Sequence, residues 1–165
     1  RVRDRQTTPP ARRAAAPRPN WRPPLPLPVV TLDGPAGSGK TTVSRILARE
    51  LGLVLVDTGL FYRSVAWVMH REGLDADDEP VAARVAADLN IAIHPDPGRA
   101  SGQRVVVNGH DVHDDLYSPE VEEIVSDVAR HPEVRRVLLP KQRETLRVGG
   151  VVVAGRDAGT VVWPL

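Results

Sequence analysis

The sequence contains no cysteine, which excludes disulfide bonds and every metal site built on thiolates. No apolar run approaches the roughly 20 residues that a membrane-spanning helix needs, and the N-terminus lacks the layout of a secretory signal. No spacing typical of a zinc site appears among the five histidines, His70, His94, His110, His113 and His131. These absences predict a soluble cytoplasmic protein that has no membrane partner.

The first 28 residues differ in composition from the rest of the chain. They hold seven arginines, one acid (Asp4) and eight of the sixteen prolines, so their net charge is +6 and that of the remainder is −5. Such a segment cannot bury enough apolar surface to repay its ordering entropy, so we expect a disordered tail over residues 1–28. The alternative is a basic arm for nucleic acid or an acidic partner. We do not favour it, because Trp21 is the single aromatic residue among the arginines.

Apolar periodicity in the remaining residues predicts an α/β fold with a parallel sheet. We expect a buried strand over residues 29–32, a helix over 41–51, a second strand over 53–56 and a helix from the capping residues Asp57 and Thr58 to about residue 71. A third buried strand is expected over residues 151–154. This order of strands and helices is typical of a parallel sheet. The apolar face of the first helix is predicted to contain Val43, Ile46, Leu47 and Leu51.

The middle of the chain predicts a small antiparallel unit inserted into this frame, at about residues 74–130. A helix is expected over residues 77–89 and strands over 90–94 and 104–107, with Asn108-Gly109 as a two-residue hairpin turn. Pro119 and Pro132 are each suited to a first helical position. We therefore expect helices over residues 119–130 and 132–147, the second of them kinked at Pro140.

Residues 34–41, GPAGSGKT, match the phosphate-binding pattern G-x-x-x-x-G-K-[ST] and lie between the first strand and the first helix. Glycines let successive N–H groups point at phosphate oxygens, and the helix N-terminus adds positive potential. Lys40 is one of only two lysines, and its compact ammonium on a flexible stem suits the β- and γ-phosphates of a nucleotide. Thr41 is expected to offer its hydroxyl to Mg²⁺. The predicted nucleotide-binding residues are Gly34, Pro35, Ala36, Gly37, Ser38, Gly39, Lys40, Thr41 and Thr42.

Four segments together make residues 29–165 resemble the bacterial cytidylate kinases. They are LDGPAGSGKTT (32–42), VDTGLFYRSVA (56–66), VNGHDV (107–112) and VVAGRDAGTVVWP (152–164). The resemblance implies a three-layer P-loop NTPase core with an inserted monophosphate-binding unit. It also implies ATP- and Mg²⁺-dependent phosphorylation of CMP or dCMP, and we expect a monomer with no nucleic-acid partner. The alternatives are a P-loop kinase for adenylate or a non-nucleotide acceptor, and a non-catalytic nucleotide-binding module.

The resemblance also implies roles for individual residues. Arg63 and Arg156 would hold the acceptor phosphate, and Lys40 and Arg156 would be the catalytic cations. The residues around the nucleoside would be Thr58, Ser126, Arg135 and Asp157, the last three near the cytosine edge. Independently, a guanidinium offers paired donors to phosphate, and a carboxylate and a guanidinium or hydroxyl complement the polar edge of cytosine. Thr58 could instead be only a helix cap and Arg63 only a surface cation. Ser126 or Arg135, on either side of the break at His131-Pro132, could be a residue of a solvated face.

Two features depart from the family pattern. Ala154 occupies a position where the family usually has an acid that orients the waters of Mg²⁺, and Asp33, at the end of the first strand, is the candidate to share that role. The chain also ends at Leu165, whereas the family continues through an arginine-bearing lid and further core elements. We therefore expect residues 29–165 to be an incomplete core that binds nucleotide and catalyses poorly, because cations around the transferred group supply much of the acceleration.

Overall fold

The structure is a computed structural model, and it describes residues 27–35, 37–96, 98–99 and 101–164. Most of the predicted tail, residues 1–26, lies outside this part of the chain. The described residues begin close to the sheet, because the carbonyl of Pro28 accepts the N–H groups of Gly150 and Val151 at 2.9 and 3.2 Å. No helix in the described ranges is long and apolar enough to span a membrane.

The elements alternate between strands and helices at both ends of the chain and form a separate antiparallel unit in the middle. In chain order they are β1 (Val29–Asp33), α1 (Lys40–Leu51), β2 (Val54–Asp57), α2 (Gly59–Glu72), α3 (Glu79–Asp88), β3 (Ile91–Pro95), β4 (Gln103–Val107), β5 (His110–Asp111), a 3₁₀ turn (Asp115–Tyr117), α4 (Pro119–Arg130), α5 (Pro132–Leu146), β6 (Val151–Gly155) and a π-helical turn (Ala158–Val162).

The central sheet is parallel and has the order β1-β6-β2, which confirms the predicted α/β class. β6 is buried along its whole length because it has a strand on each side and helices on both faces. Its register pairs Asp33 with Gly155 and Asp57 with Ala154. The carboxyl ends of all three strands therefore meet at one edge of the sheet, which is where α/β proteins bind ligands.

The prediction for the buried face of α1 is wrong for three of its four residues, whereas Leu47 is partly buried and packs against the cluster between the helix and the sheet. Val43, Ile46 and Leu51 are 54%, 58% and 52% exposed, and the buried residues of the helix are Ser44 and Ala48. The two buried residues are four positions apart and so lie on one face. Their small side chains bring the helix close to the sheet, where Ala48 packs in a cluster with Leu55, Val152 and Ala154.

The larger core lies on the opposite side of the sheet, where the helices that follow β2 pack. Its most deeply buried large side chains include Leu60, Phe61 and Met69 of α2, together with Leu116 and Leu138. The antiparallel sheet has the order β3-β4-β5, and Asn108 and Gly109 form its second turn with φ of 50° and 85°. Both values are those of the predicted two-residue hairpin turn. α5 continues across Pro140 to Leu146.

Candidate functional site

The loop between β1 and α1 has the conformation expected of a phosphate-binding loop. Gly37 and Gly39 adopt φ of 72° and 81°, a region that favours glycine, and α1 starts directly after Gly39. At Gly34 there is little room for a side chain, since a β-carbon there would lie 3.2 Å from both the Lys40 side chain and the Ser38 hydroxyl. Ala36, one of the predicted loop residues, lies outside the described part of the chain.

Lys40, at the first position of α1, reaches back over this loop. Its Nζ donates a hydrogen bond to the carbonyl of Pro35. Among the described residues, no carboxylate lies within 4.0 Å of this ammonium. The charge is therefore available to an anion at the N-terminus of the helix.

A cleft of about 270 Å³ lies beside the loop, at the carboxyl ends of the strands. Its walls come from the loop, from the starts of α1 and α2, from α4 and α5, and from the end of β6. Most of the predicted site residues lie together in this lining, which includes Lys40, Thr41, Thr58, Arg63, Ser126, Arg135, Arg156 and Asp157. The fold therefore brings into one cleft residues that lie more than a hundred positions apart in the sequence.

Arg63 projects from α2 into the cleft and is held by the neighbouring elements. Its two terminal nitrogens donate to the carbonyl of Leu116 at 2.9 Å and to the Glu122 carboxylate at 2.6 Å. Its guanidinium lies 5.1 Å from the centre of the Tyr117 ring, within the range of a cation–π contact. These contacts fix the orientation of the Arg63 side chain, whereas a solvated surface arginine would have no such contacts.

Arg135 and Asp157 form an ion pair across the cleft, with Nη2 and Oδ2 2.7 Å apart. Arg135 also donates to the carbonyl of Ala129 at 3.4 Å, and its guanidinium lies 6.0 Å from the centre of the Tyr62 ring. Burial raises the pKa of Tyr62, so this residue presents a neutral hydroxyl at physiological pH. Ser126 lines the same cleft from α4.

Arg156 directly follows β6, and Thr58 directly follows the neighbouring strand β2. Arg156 is exposed at the mouth of the cleft and, within the described ranges, has no carboxylate within 4.0 Å. Thr58 is buried, and its hydroxyl donates to the carbonyl of Ala154 at 3.1 Å. Thr58 therefore makes no side-chain cap at the start of α2. Glycine is required at position 155, because a β-carbon there would lie 2.5 Å from the Thr58 hydroxyl.

Asp57 is a residue of the cleft that the sequence analysis treated only as a helix cap. Its Oδ1 does accept the N–H of Gly59 at 2.8 Å, but its Oδ2 faces the Thr41 hydroxyl at 3.5 Å. Burial raises the pKa of this carboxyl, while the Gly59 hydrogen bond and the charges of Arg63 and Lys40 oppose the increase. An acid directly after a buried parallel strand was the available signal, since such a residue lies at the ligand-binding edge.

Asp33, the predicted metal candidate, has both carboxylate oxygens engaged. Oδ1 accepts the N–H of Gly159 at 2.7 Å, and Oδ2 accepts the Thr160 hydroxyl at 3.1 Å. These bonds connect β1 to the π-helical turn after β6. Within the described residues there is no cluster of three or more histidine or acidic side chains that could hold a metal ion. A cation in the cleft would therefore need ligand oxygens from a bound anion as well.

Comparison with known proteins gives one family. The sequence model of the cytidylate kinases matches residues 30–165. The chain is 46% identical over 139 residues to a cytidylate kinase of Roseiflexus castenholzii, an alignment that covers 82% of this chain and 60% of the relative. It is 46% identical over 138 residues to a cytidylate kinase of Pelotomaculum thermopropionicum, with 83% of this chain and 60% of the relative covered. It is also 47% identical over 137 residues, or 83% of its length, to a bifunctional pantoate ligase/cytidylate kinase of Synechococcus sp., of which it spans 28%.

Proposed function

The chain belongs to the cytidylate kinase family, and we propose that the protein transfers the γ-phosphoryl group of ATP to CMP or dCMP. It spans only 60% of the length of the two cytidylate kinases it matches, so the proposal concerns the chemistry that this part of such an enzyme supports. The observation that carries it is the convergence of Lys40, Arg63, Arg135 and Arg156 on one cleft beside the phosphate loop.

The loop and Lys40 are the proposed donor site. Backbone N–H groups of the glycine-rich turn would hold the phosphates of ATP, and Lys40 would leave the Pro35 carbonyl to contact the β- and γ-phosphates. Gly34 leaves room inside the loop for the Lys40 and Ser38 side chains, which lie 3.2 Å from where a β-carbon would stand. The chain contributes position and charge here, and the cleft needs no nucleophilic side chain for a direct transfer between two phosphates.

Arg63 and Arg156 are the proposed acceptor-phosphate residues. Arg63 is preoriented by the Leu116 carbonyl, so a phosphate has only to compete with the partly exposed Glu122 carboxylate for the second nitrogen. Arg156 has no carboxylate partner among the described residues and can offer both terminal nitrogens. Two guanidinium groups on one phosphate would align it with the donor and neutralise charge during transfer.

Arg135, Asp157 and Ser126 are proposed to hold the base. Cytosine presents an amino donor beside a ring acceptor, and a carboxylate beside a guanidinium is the complementary arrangement. The ion pair between Arg135 and Asp157 keeps the two groups adjacent before the base arrives. Uracil has a carbonyl in place of the amino group, so the Asp157 carboxylate would disfavour it.

Mg²⁺ is the proposed metal, and the oxygen groups beside the loop fit it. The Thr41 hydroxyl and the Asp57 carboxylate lie 3.5 Å apart at the edge where the polyphosphate would enter. Oxygen donors of this kind, completed by phosphate oxygens, are what Mg²⁺ requires. When bound, the ion would neutralise phosphate charge that Lys40 alone cannot balance.

Substrate profiling tests the proposal. We would measure ADP formation by the protein with ATP and Mg²⁺ against CMP, dCMP, UMP and AMP, and compare kcat/KM. CMP and dCMP are expected to give the highest values. A preference for AMP would contradict the proposal, and ATP binding without phosphorylation of any of the four acceptors would favour a non-catalytic module.

A further inference from the structure

We propose that Asp57 is a positioning residue for the divalent cation in the cleft, acting with the Thr41 hydroxyl. This inference rests on the proposed function, because the cation would arrive with the nucleotide. Three features of Asp57 support this role: its place in the sheet, its hydrogen bonds and the absence of an ionic partner among the described residues.

The two carboxylate oxygens of Asp57 have different environments. Oδ1 is fixed by the N–H of Gly59 at 2.8 Å, so the plane of the carboxylate is set by the start of α2. Oδ2 faces the Thr41 hydroxyl at 3.5 Å, a separation too long for a strong hydrogen bond. One oxygen therefore anchors the group, and the other remains available beside a second oxygen at the entrance of the loop.

Asp57 is also the unpaired acid of the cleft. Three carboxylates line it among the described residues, and two of them are neutralised, Glu122 by Arg63 at 2.6 Å and Asp157 by Arg135 at 2.7 Å. Asp57 has no basic group within 4.0 Å in the part of the chain that the structure describes. A carboxylate withdrawn from water without a cationic partner costs folding free energy, and a bound cation would remove that cost.

The sheet explains why this role falls to β2. The central strand, β6, ends in Ala154 and Gly155, so it provides no carboxylate at the edge. β1 and β2 flank it, and each ends in an aspartate: Asp33 is in register with Gly155, and Asp57 with the preceding residue, Ala154. Asp33 on β1 has both oxygens occupied by Gly159 and Thr160. Asp57 is therefore the aspartate with an oxygen left for a cation or for one of its waters.

Calorimetric titration of a non-hydrolysable ATP analogue into the protein, in excess MgCl₂ and in EDTA, tests this role. Asp57→Asn keeps an oxygen for the Gly59 N–H and removes the charge. We expect the gain in affinity that Mg²⁺ gives to fall by about tenfold or more, the usual effect of losing a group that supports a metal site. In EDTA the variant should bind the analogue as tightly as the wild type or more tightly, because a negative charge near the polyphosphate is gone.

Asp78→Asn is the matched control. Asp78 accepts the N–H of Val81 at the start of α3, as Asp57 does at the start of α2, but it lies outside the cleft. This variant should keep the full gain from Mg²⁺. An equal gain in Asp57→Asn and wild type would overturn the inference, and so would an equal loss of affinity with and without Mg²⁺, which would mean that Asp57 only shapes the loop.

A second measurement needs no variant and so does not depend on folding of Asp57→Asn. Mn²⁺ added with the analogue should broaden the amide signals of Thr58 and Gly59 in the NMR spectrum of the wild type. Stronger broadening at Gly159 and Thr160 would assign the cation to Asp33 and overturn the inference. The proposed function fails separately: a protein whose Mg²⁺-dependent binding needs Asp57 but which phosphorylates no cytidylate would contradict only the proposed reaction.

Discussion

The two lysines of the chain occupy different environments, so one can serve as a control for substitution of the other. Lys40 reaches over the phosphate loop and contacts the Pro35 carbonyl, whereas Lys141 on α5 donates to the carbonyls of Ala87 and Leu89 at 2.7 and 2.5 Å, outside the cleft. Lys40 takes no part in the apolar core, and Lys141 secures the connection after α3.

We predict that Lys40→Ala abolishes phosphoryl transfer and leaves the protein folded, because the removed ammonium contacts only the Pro35 carbonyl of the loop and, with nucleotide bound, would contact the phosphates. Steady-state turnover beside a thermal melt is the measurement. Lys141→Ala should keep its turnover and instead lose some thermal stability. If Lys40→Ala retained activity within about tenfold of wild type, equivalent to ~1.4 kcal/mol in the barrier, Lys40 would not bridge the phosphates.

We predict that Asp157→Ala reduces kcat/KM with CMP more than with UMP. A charge-assisted hydrogen bond from the cytosine amino group contributes about 1.5–3 kcal/mol, so the ratio of the two values should fall by roughly one to two orders of magnitude. A rival role for Asp157 is to orient a neighbouring arginine through an ion pair, and the adjacent residue in sequence is Arg156. In the structure its partner is Arg135, at 2.7 Å.

The rival role therefore becomes orientation of Arg135, and it predicts a similar loss with both nucleotides. Measuring kcat/KM for CMP and UMP on wild type and variant separates the two, and an unchanged ratio would rule out direct contact with the base. Glu133→Ala is the control. Glu133 also forms an ion pair on α5, but its partner is Arg136, the residue after Arg135, and Glu133 lies outside the cleft. It should leave both values unchanged.

At the scale of elements, local signals in the sequence predicted most boundaries. Ser118 and Pro119 start α4 as expected, with the serine hydroxyl accepting the N–H of Val121, and Pro132 starts α5. The error on α1 has a different cause. Helix α1 has large apolar residues at helical spacing on one face and small residues on another. Periodicity alone does not show which of the two faces packs on the sheet. The π-helical turn after β6 depends on tertiary bonds to Asp33, which no local pattern shows.

Within the antiparallel unit, a buried histidine connects the segment before β4 to the segment after β5. Nε2 of His113 lies 2.9 Å from the Ser101 hydroxyl, which itself donates to the carbonyl of Gln103 at 3.0 Å. With the hydroxyl proton on the Gln103 carbonyl, Nε2 is the donor to Ser101, and the buried Nδ1 has no hydrogen-bond partner among the described residues. A second proton on the ring would have to be buried without an acceptor.

We predict that this unit makes stability depend on pH. Burial, and then the charge of Arg99, lower the pKa of His113 from 6.5, although three acids oppose the change, Asp114, Asp111 and Asp96. Between pH 6.5 and the lower pKa of the folded protein, His113 is protonated in the unfolded chain but not in the folded one. Stability is therefore lost as the pH falls from 6.5 toward the folded-state pKa.

The measurement is the melting temperature of wild type and His113→Gln between about pH 7.5 and about pH 5. The variant should lose less stability on acidification, even if it is less stable at the upper end. His110→Gln is the control, since His110 is exposed in the same hairpin. Parallel curves for wild type and His113→Gln would show that His113 does not carry the effect.

At the scale of the molecule, the cleft follows from the topology more than from any single motif. The phosphate loop was evident from its pattern, and Arg63, Arg135, Arg156 and Asp157 could be placed only through a family resemblance. Ion pairs orient Arg63, Arg135 and Asp157. They join α2 to α4 and α5 to the end of β6, so they depend on how the helices pack over the sheet. Asp57 was missed as a site residue because its position beside Thr41 follows from the adjacency of α1 and β2 in space.

The remaining question at this scale is whether residues 1–26 contribute to the folded unit. The sequence predicts a tail without a periodic apolar face. Leu27 and Pro28 must be kept in any deletion, because the Pro28 carbonyl accepts the N–H groups of Gly150 and Val151 at the start of β6. All seven arginines of the tail lie within residues 1–26, so the deletion removes a net charge of +6.

We predict that deleting residues 1–26 leaves the melting temperature and the turnover with CMP unchanged and weakens only the binding of polyanions. Retention on heparin at increasing salt concentration measures that binding, and its salt dependence should decrease because fewer cations release counterions. A variant with the seven arginines replaced by glutamine is the control and should behave like the deletion. A loss of 1 kcal/mol corresponds to roughly 2–8 °C in domains of this size range. A decrease of several degrees on deletion, absent in the glutamine variant, would therefore mean that the segment packs on the domain through its apolar residues.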